Sequence, residues 1–265
     1  MKSTERLQGA AEPLLLSAWN TLGLPFDVEA LDERERGIID PEVAILLTVM
    51  CSTSSRAPTD IPAWILRFSD MVNHGKLKAL MVMLGDRHRE AVVRRMRRWL
   101  FAACPKTFRR AVSLPDEAPE TAVRELLSRR SKIAPVEVLA ESSAMLRNRL
   151  LYGTGFRADL ISVVEAVPYP LRANQLARLL GCRESTVSRI LRDLRAAGLL
   201  DGHNQLSREQ GTARGIFISV DTLRNIINLI DAMDFSSEDL RSSAVSGMDL
   251  RFDGMTRSLV ESLLP

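Results

Sequence analysis

The sequence has few of the residues, and none of the long runs, that would take it out of a reducing, aqueous setting. Its 265 residues include three cysteines, Cys51, Cys104 and Cys182, odd in number and far apart. That spacing offers no disulfide framework and fits a reducing cytoplasm. No apolar run reaches the roughly 20 residues of a membrane span. The N-terminal stretch, with Glu5 and Glu12 flanking a short apolar segment, lacks the layout of a signal peptide. The expectation is a cytoplasmic protein without membrane contact. Histidine is as scarce. His74, His88 and His203 are scattered, and none joins a cysteine at metal-ligand spacing. There is no glycine-rich phosphate loop ending in Lys-Ser/Thr, no Gly-x-Ser-x-Gly elbow and no Ser-x-x-Lys. Ser52-Thr53-Ser54-Ser55 reads as a plain loop, and Gly153-Thr154-Gly155 as a turn ahead of a helix. No catalytic, metal or cofactor residue is assigned. The chain is therefore expected not to be an enzyme; a site assembled from scattered residues is the alternative.

What is present is a core and a segregated charge. Apolar residues make up 46% of the chain and the mean hydropathy is −0.02, as in a soluble globular protein. The formal net charge is only +3, yet its sign is unevenly placed. Residues 1–60 carry five Lys/Arg and ten Asp/Glu, and residues 221–265 carry four and eight. Residues 87–110 carry nine Lys/Arg against one Glu, and residues 171–200 six Arg against two acids. Two local basic zones in a nearly balanced chain point to contact with an anion, nucleic acid first among them; solvated helix faces are the plainer reading.

Strand signals are scarce before residue 200. Residues 12–22 read as a helix ending near Gly23. Asp40-Pro41-Glu42 reads as a helix start, with Asp as N-cap and Pro at the first position. Further helices are expected at 61–72, carrying Trp64, at 76–84, and at 89–103. Trp19, Trp64 and Trp99 fall on apolar faces. In the 89–103 helix Val92, Met96, Trp99 and Leu100 face inward, while Arg87, Arg94 and Arg98 form one positive ridge. That ridge is a candidate contact for DNA or for a partner protein. Residues 113–121, with two prolines and three acids, read as a linker. Helices near 122–131 and 135–151 follow, then helices at 158–167, 172–180 and 184–197, an extended start at Leu199-Leu200, a strand at 216–220 and a helix at 221–233. A short helix within 248–264 ends the series.

The segment from Gly181 to Leu200 is the most informative. In projection Val187, Ile190, Leu191 and Leu194 fill one arc about 100° wide. Ser185, Ser188, Arg189 and Arg192 fill the opposite one. A helix fits the major groove of B-DNA, and Arg can bond guanine O6 and N7 together. Arg195, further round, suits a phosphate better than a base. Gln175-Leu176-Ala177, Leu180-Gly181-Cys182, Ser185-Thr186-Val187-Ser188-Arg189, Leu194 and Ala197-Gly198-Leu199-Leu200 together resemble the winged helix-turn-helix family over residues 157–233. The resemblance implies that the third helix reads the major groove and that a β-hairpin wing touches the backbone. The wing would lie within 204–218, with Arg208 and Arg214 as its basic residues. One position departs from the family: Arg183 stands where Ser or Thr usually caps the reading helix, and would reach phosphate instead.

The whole chain also resembles a bacterial family that joins a helical domain to a winged helix, through Leu16-Ser17-Ala18-Trp19 and Asp40-Pro41-Glu42. Its members are often encoded beside nucleotidyltransferase-like proteins, some of them toxins, which implies an antitoxin or autorepressor role. The loop of residues 51–57 is less charged than that resemblance would suggest. The expected architecture is mainly α: a helical domain (1–112), a linker with connecting helices (113–156), a winged helix-turn-helix domain with a small hairpin wing (157–233) and a tail (234–265). The expected function is sequence-specific binding of double-stranded DNA by a homodimeric regulator, a repressor or autorepressor. An antitoxin-like protein capturing a partner encoded nearby is the alternative. The candidate DNA contacts are Arg172, Arg183, Ser185, Thr186, Ser188, Arg189, Arg192, Arg195, Arg208 and Arg214.

Overall fold

The computed structural model describes residues 3–26, 38–115, 120–129, 132–167, 170–201 and 218–234. Among these the helices follow one another as α1 (Ser3–Thr21), α2 (Pro41–Cys51), α3 (Ala57–Arg67), α4 (His74–Met83), α5 (Gly85–Arg98), α6 (Lys106–Ala111), α7 (Glu120–Arg129), α8 (Val136–Ser142), α9 (Ala144–Tyr152), α10 (Phe156–Ala166), α11 (Ala173–Leu180), α12 (Glu184–Ala196) and α13 (Val220–Asp234). Single 3-10 turns, Ser69–Met71 and Leu100–Ala103, follow α3 and α5. No helix among the described residues is long and apolar enough to cross a membrane.

Asp40 starts α2 as its chemistry dictates. Its Oδ1 accepts from the amides of Glu42 and Val43 at 3.1 and 3.2 Å, and Pro41 occupies the first helical position. The helix that follows is apolar all round and nearly all buried, so it forms the centre of the larger core. Around it pack α1, α3, α4, α5 and the inner face of α13. Trp19 and Trp64 meet edge to face at 5.5 Å, and each buried indole N–H has an acceptor: Thr48 Oγ1 for Trp19 and the Leu22 carbonyl for Trp64, both at 2.7 Å. A second core unites Met145 of α9 with α10, α11 and α12.

Three sequence expectations change. The helix expected over 89–103 ends at Arg98, because Trp99 is extended (ψ 168°) and a 3-10 turn follows. The break lets Trp99 and Phe101 stack at 5.9 Å in the core, which one straight helix could not do. The helix expected over 135–151 is two. Ser143 is extended and its Oγ accepts from the Leu146 amide at 3.4 Å, restarting the chain as α9. The strand expected at 216–220 reduces, within the described residues, to one parallel bridge between Ile218 and Ile39. The Thr222 hydroxyl accepts from the Ser219 amide at 3.0 Å, and Val220, Leu223 and Ile226 are buried at helical spacing, so α13 starts earlier than expected. The wing expected within 204–218 falls outside the described residues, apart from Ile218, as do Arg208 and Arg214.

The two cores are joined by buried charge. Arg149 of α9 is fully buried and spends all five of its N–H donors. Two go to the Glu42 carboxylate (2.7 and 2.8 Å), two to Asp159 (2.8 and 3.0 Å) and one to the Met71 carbonyl (2.6 Å). Lys76 of α4 lies between Asp40 (2.5 Å) and Asp159 (2.9 Å). Three carboxylates thus share two cations. Burial pushes the Asp40 carboxyl up to about 7, since Lys76 is shared and Glu42 and Asp159 repel a further negative charge. Although burial alone would raise them too, the Arg149 guanidinium holds Glu42 below its ordinary value and Asp159 at about 2.

The two shifts act on stability with opposite sign. Asp40 is raised on folding, so its contribution is full below about pH 4 and is lost as pH rises towards 7. Glu42 and Asp159 are lowered, so they stabilise above about pH 4 and fail only as acid protonates them. Asp40→Asn keeps a cap at α2 but removes this titration. Urea titrations of this variant are expected to lose the wild-type decline in stability between pH 4 and 7. Arg149→Leu leaves two buried carboxylates short of a partner and is expected to cost about 3–5 kcal/mol in the same measurement.

Candidate nucleic-acid interface

The segment from α11 to α12 is two short amphipathic helices and a three-residue turn. In α11, Leu176, Ala177, Leu179 and Leu180 are buried. The Gln175 side chain reaches back to accept from the Arg172 amide at 2.9 Å, which fixes the entry. Gly181 ends the helix in the left-handed region (φ 69°). The amide of Cys182 bonds the Ala177 carbonyl at 3.1 Å, closing the end of the helix. Gly181 is required a second time by α13: a Cβ there would lie 2.8 Å from Val220 Cγ2. Cys182 is half-buried, and burial raises its thiol.

α12 then presents two faces. Val187, Ile190, Leu191 and Leu194 are buried, at most 4% exposed. Arg183, Ser185, Ser188, Arg189, Arg192 and Arg195 are exposed, Thr186 is half-buried at the edge of that face, and Arg172 is exposed at the start of α11. At about 100° per residue the four serine and arginine positions from 185 to 192 span one arc. The structure therefore brings together Arg183, Ser185, Ser188, Arg189, Arg192 and Arg195 on one exposed helix. Arg183 is the N-cap residue in backbone terms (φ −74°, ψ 143°), but its side chain makes no capping bond. The acids near this face are Glu184, in the first turn, and Asp193, at its flank. Asp193 lies 3.4 Å from Arg157 Nη2 and 4.0 Å from Arg192 Nε.

Ion pairs hold the α11–α12 unit to the body, and sequence reasoning missed them. Asp221, at the start of α13, bonds Arg178 of α11 at 3.2 Å and Arg224 at 2.8 Å, and Arg224 also donates to the Arg178 carbonyl. No spacing in the sequence relates positions 178 and 221. At the far end of α13, His88 of α5 lies 2.8 Å from Asp231, and Arg87 lies 3.7 Å from it. Of the positive ridge, Arg94 and Arg98 are exposed on α5, while Arg87 faces Asp231. Asp40, Glu42 and Asp159 have oxygens within 4.8 Å of one another, the donor type a hard cation uses. Lys76 and Arg149 fill that role here.

A short turn between two amphipathic helices, the second bearing exposed serines and arginines, is the geometry of a helix-turn-helix. Residues 149–209 match the family model of the Crp-like helix-turn-helix domain. The chain carries a helix-turn-helix DNA-binding domain. No curated protein and no solved structure gave a significant match to the chain.

Two substitutions separate the local constraints. Gly181→Ala meets both a left-handed backbone and Val220, and is expected to destabilise by about 1–3 kcal/mol. Arg183→Ser supplies the missing cap and is expected to stabilise by about 0.5–1 kcal/mol while weakening DNA binding. Thermal unfolding and a DNA titration of each variant check both; an Arg183→Ser protein that binds DNA as tightly as wild type would remove Arg183 from the interface.

Proposed function

We propose that the protein is a transcriptional regulator that binds specific double-stranded DNA as a homodimer and acts as a repressor or autorepressor. The observation that carries the reading is the exposed arc of α12, set opposite a fully buried one in a helix-turn-helix. In this reading α12 enters the major groove. Arg189 and Arg192 bond guanine edges, and Ser185 and Ser188 bond bases or phosphates near the start of the helix. Arg172, Arg183 and Arg195 take phosphates, which set register without reading sequence, and Thr186 supports them from the edge of the face. A second copy supplies the second reading helix, because one short helix contacts too few base pairs to select a site in a genome.

The test is fluorescence anisotropy on DNA from upstream of the coding sequence, over a salt series. Arg189→Ala and Arg192→Ala are each expected to weaken specific binding by about 1–3 kcal/mol. Each should leave affinity for unrelated DNA far less affected. If both variants bind the specific site as wild type does, α12 is not the reader.

A further inference from the structure

The side of α5 turned away from α13 forms a basic cleft outside the helix-turn-helix. It is an open surface cleft of about 340 Å3, lined by Arg89, Glu90, Val93, Arg94 and Arg97 of α5, with Ser113 beyond α6. At about 100° per residue these five α5 positions sweep one continuous face, while Val92 and Met96 anchor the adjoining face in the core. Its charge is positive: three arginines against one Glu90. Arg89 is already held by Asp86 at 2.5 Å. Arg94 and Arg97 have no ion-pair or hydrogen-bond partner among the described residues, and sit one helical turn apart on the same wall.

Ser113 adds an independent sign. Among the described residues it alone combines a side chain with a left-handed backbone (φ 61°). It stands just past the end of α6, where its neighbour Leu114 donates to the Arg109 carbonyl at 2.8 Å, a position that favours glycine. A serine there forgoes stability that glycine would provide, and adds a residue with a hydroxyl to the lining of the cleft that Arg94 and Arg97 share. Hydroxyl and guanidinium donors lining one positive cleft are the groups that bind a tetrahedral oxyanion.

We propose that this cleft is a phosphate-binding site formed by Arg94, Arg97 and Ser113. The phosphate comes either from a small phosphorylated molecule or from the backbone of DNA beyond the reading helix. The first source goes beyond the DNA-binding reading; the second rests on it. The probe for the first is inorganic pyrophosphate, titrated into the full-length protein and followed calorimetrically and by melting temperature against sodium chloride of equal ionic strength. The probe for the second is the slope of DNA affinity against salt. The variants are the double change Arg94→Gln with Arg97→Gln, and Ser113→Gly; all three positions are exposed, so folding is expected to survive.

If the source is a small molecule, pyrophosphate binds wild type, and the double variant loses at least tenfold in affinity. If it is DNA, the double variant flattens the salt slope by about one to two units. Ser113→Gly is expected to raise the melting temperature by roughly 2–4 °C while weakening whichever phosphate is bound. The proposal is overturned if pyrophosphate acts no differently from chloride and the double variant leaves the salt slope unchanged. It is overturned equally if pyrophosphate binds wild type and double variant alike, again with the slope unchanged. The pyrophosphate measurement contains no DNA, so failure of the DNA-binding reading would leave its result standing.

Discussion

The buried Arg149 guanidinium is the joint on which the rest of the molecule depends. It lies in α9, at the start of the segment that matches the helix-turn-helix family, yet two of its donors go to Glu42 of α2, in the other core. With Lys76, Asp40 and Asp159 it forms a network in which each charge is out of water and most lone pairs are committed. Such a network adds little net stability over apolar packing, because desolvation offsets much of the attraction. Its effect is on geometry. Rotating the reading unit against the helical body would break several charge-assisted bonds at once and leave a buried charge unpaired. The α12 surface is therefore carried at a fixed angle by a rigid body, not on a tether.

A second tie runs along α13. Its first residues press Val220 against Gly181 in the turn of the helix-turn-helix and set Asp221 between Arg178 and Arg224. Its last turns reach Asp231, opposite His88 and Arg87 on α5. The bridge between Ile39 and Ile218 fixes where α13 begins, next to the start of α2 and so next to Asp40. From Val220 to Asp231 a helix rises about 16 Å. That length sets the spacing between the turn of the reading unit and the start of the basic helix. Both positively charged surfaces thus belong to one frame.

Much of this was legible in the sequence, for reasons that can be named. Asp40 and Pro41 announce α2 because capping chemistry is local. The two faces of α12 and the glycine at 181 could be read because a 3.6-residue period and a left-handed turn leave local signatures. The helix breaks at Trp99 and Ser143 could not, since neither Gly nor Pro marks them and core stacking decides the first. The strand expected at 216–220 followed β-branched composition, which burial on a helix overrode at Val220. The ionic network was the least legible part. Lys76, Arg149 and Asp159 look like solvent-facing charges; Arg149 and Asp159 are 10 residues apart, but Lys76 reaches Asp159 and Arg149 reaches Glu42 across 83 and 107 residues. Only the fold places those groups together. The cation surfaces lie between these cases: Arg189 and Arg192 share a face that projection gives, whereas the cleft needs Ser113, which comes from another element.

Asp40 caps, Gly181 takes the left-handed turn, and both indole N–H groups find acceptors. Among the positions that depart from such rules, two are exposed and stand beside arginines. Arg183 stands where a short polar residue would cap α12, and its side chain contributes no bond to the helix it precedes. Ser113 stands where glycine would be unstrained. Neither departure is forced by packing, since both side chains are exposed and a substitution of each would have room. Stability forgone at the surface, where improvement needs one residue and no repacking, is expected where that residue has another task. Both sit among arginines, one at the mouth of the reading helix and one in the α5 cleft. On the readings proposed above, the two positions share one chemistry: cations, and a hydroxyl among them, set out for an anion that the folded chain does not itself supply.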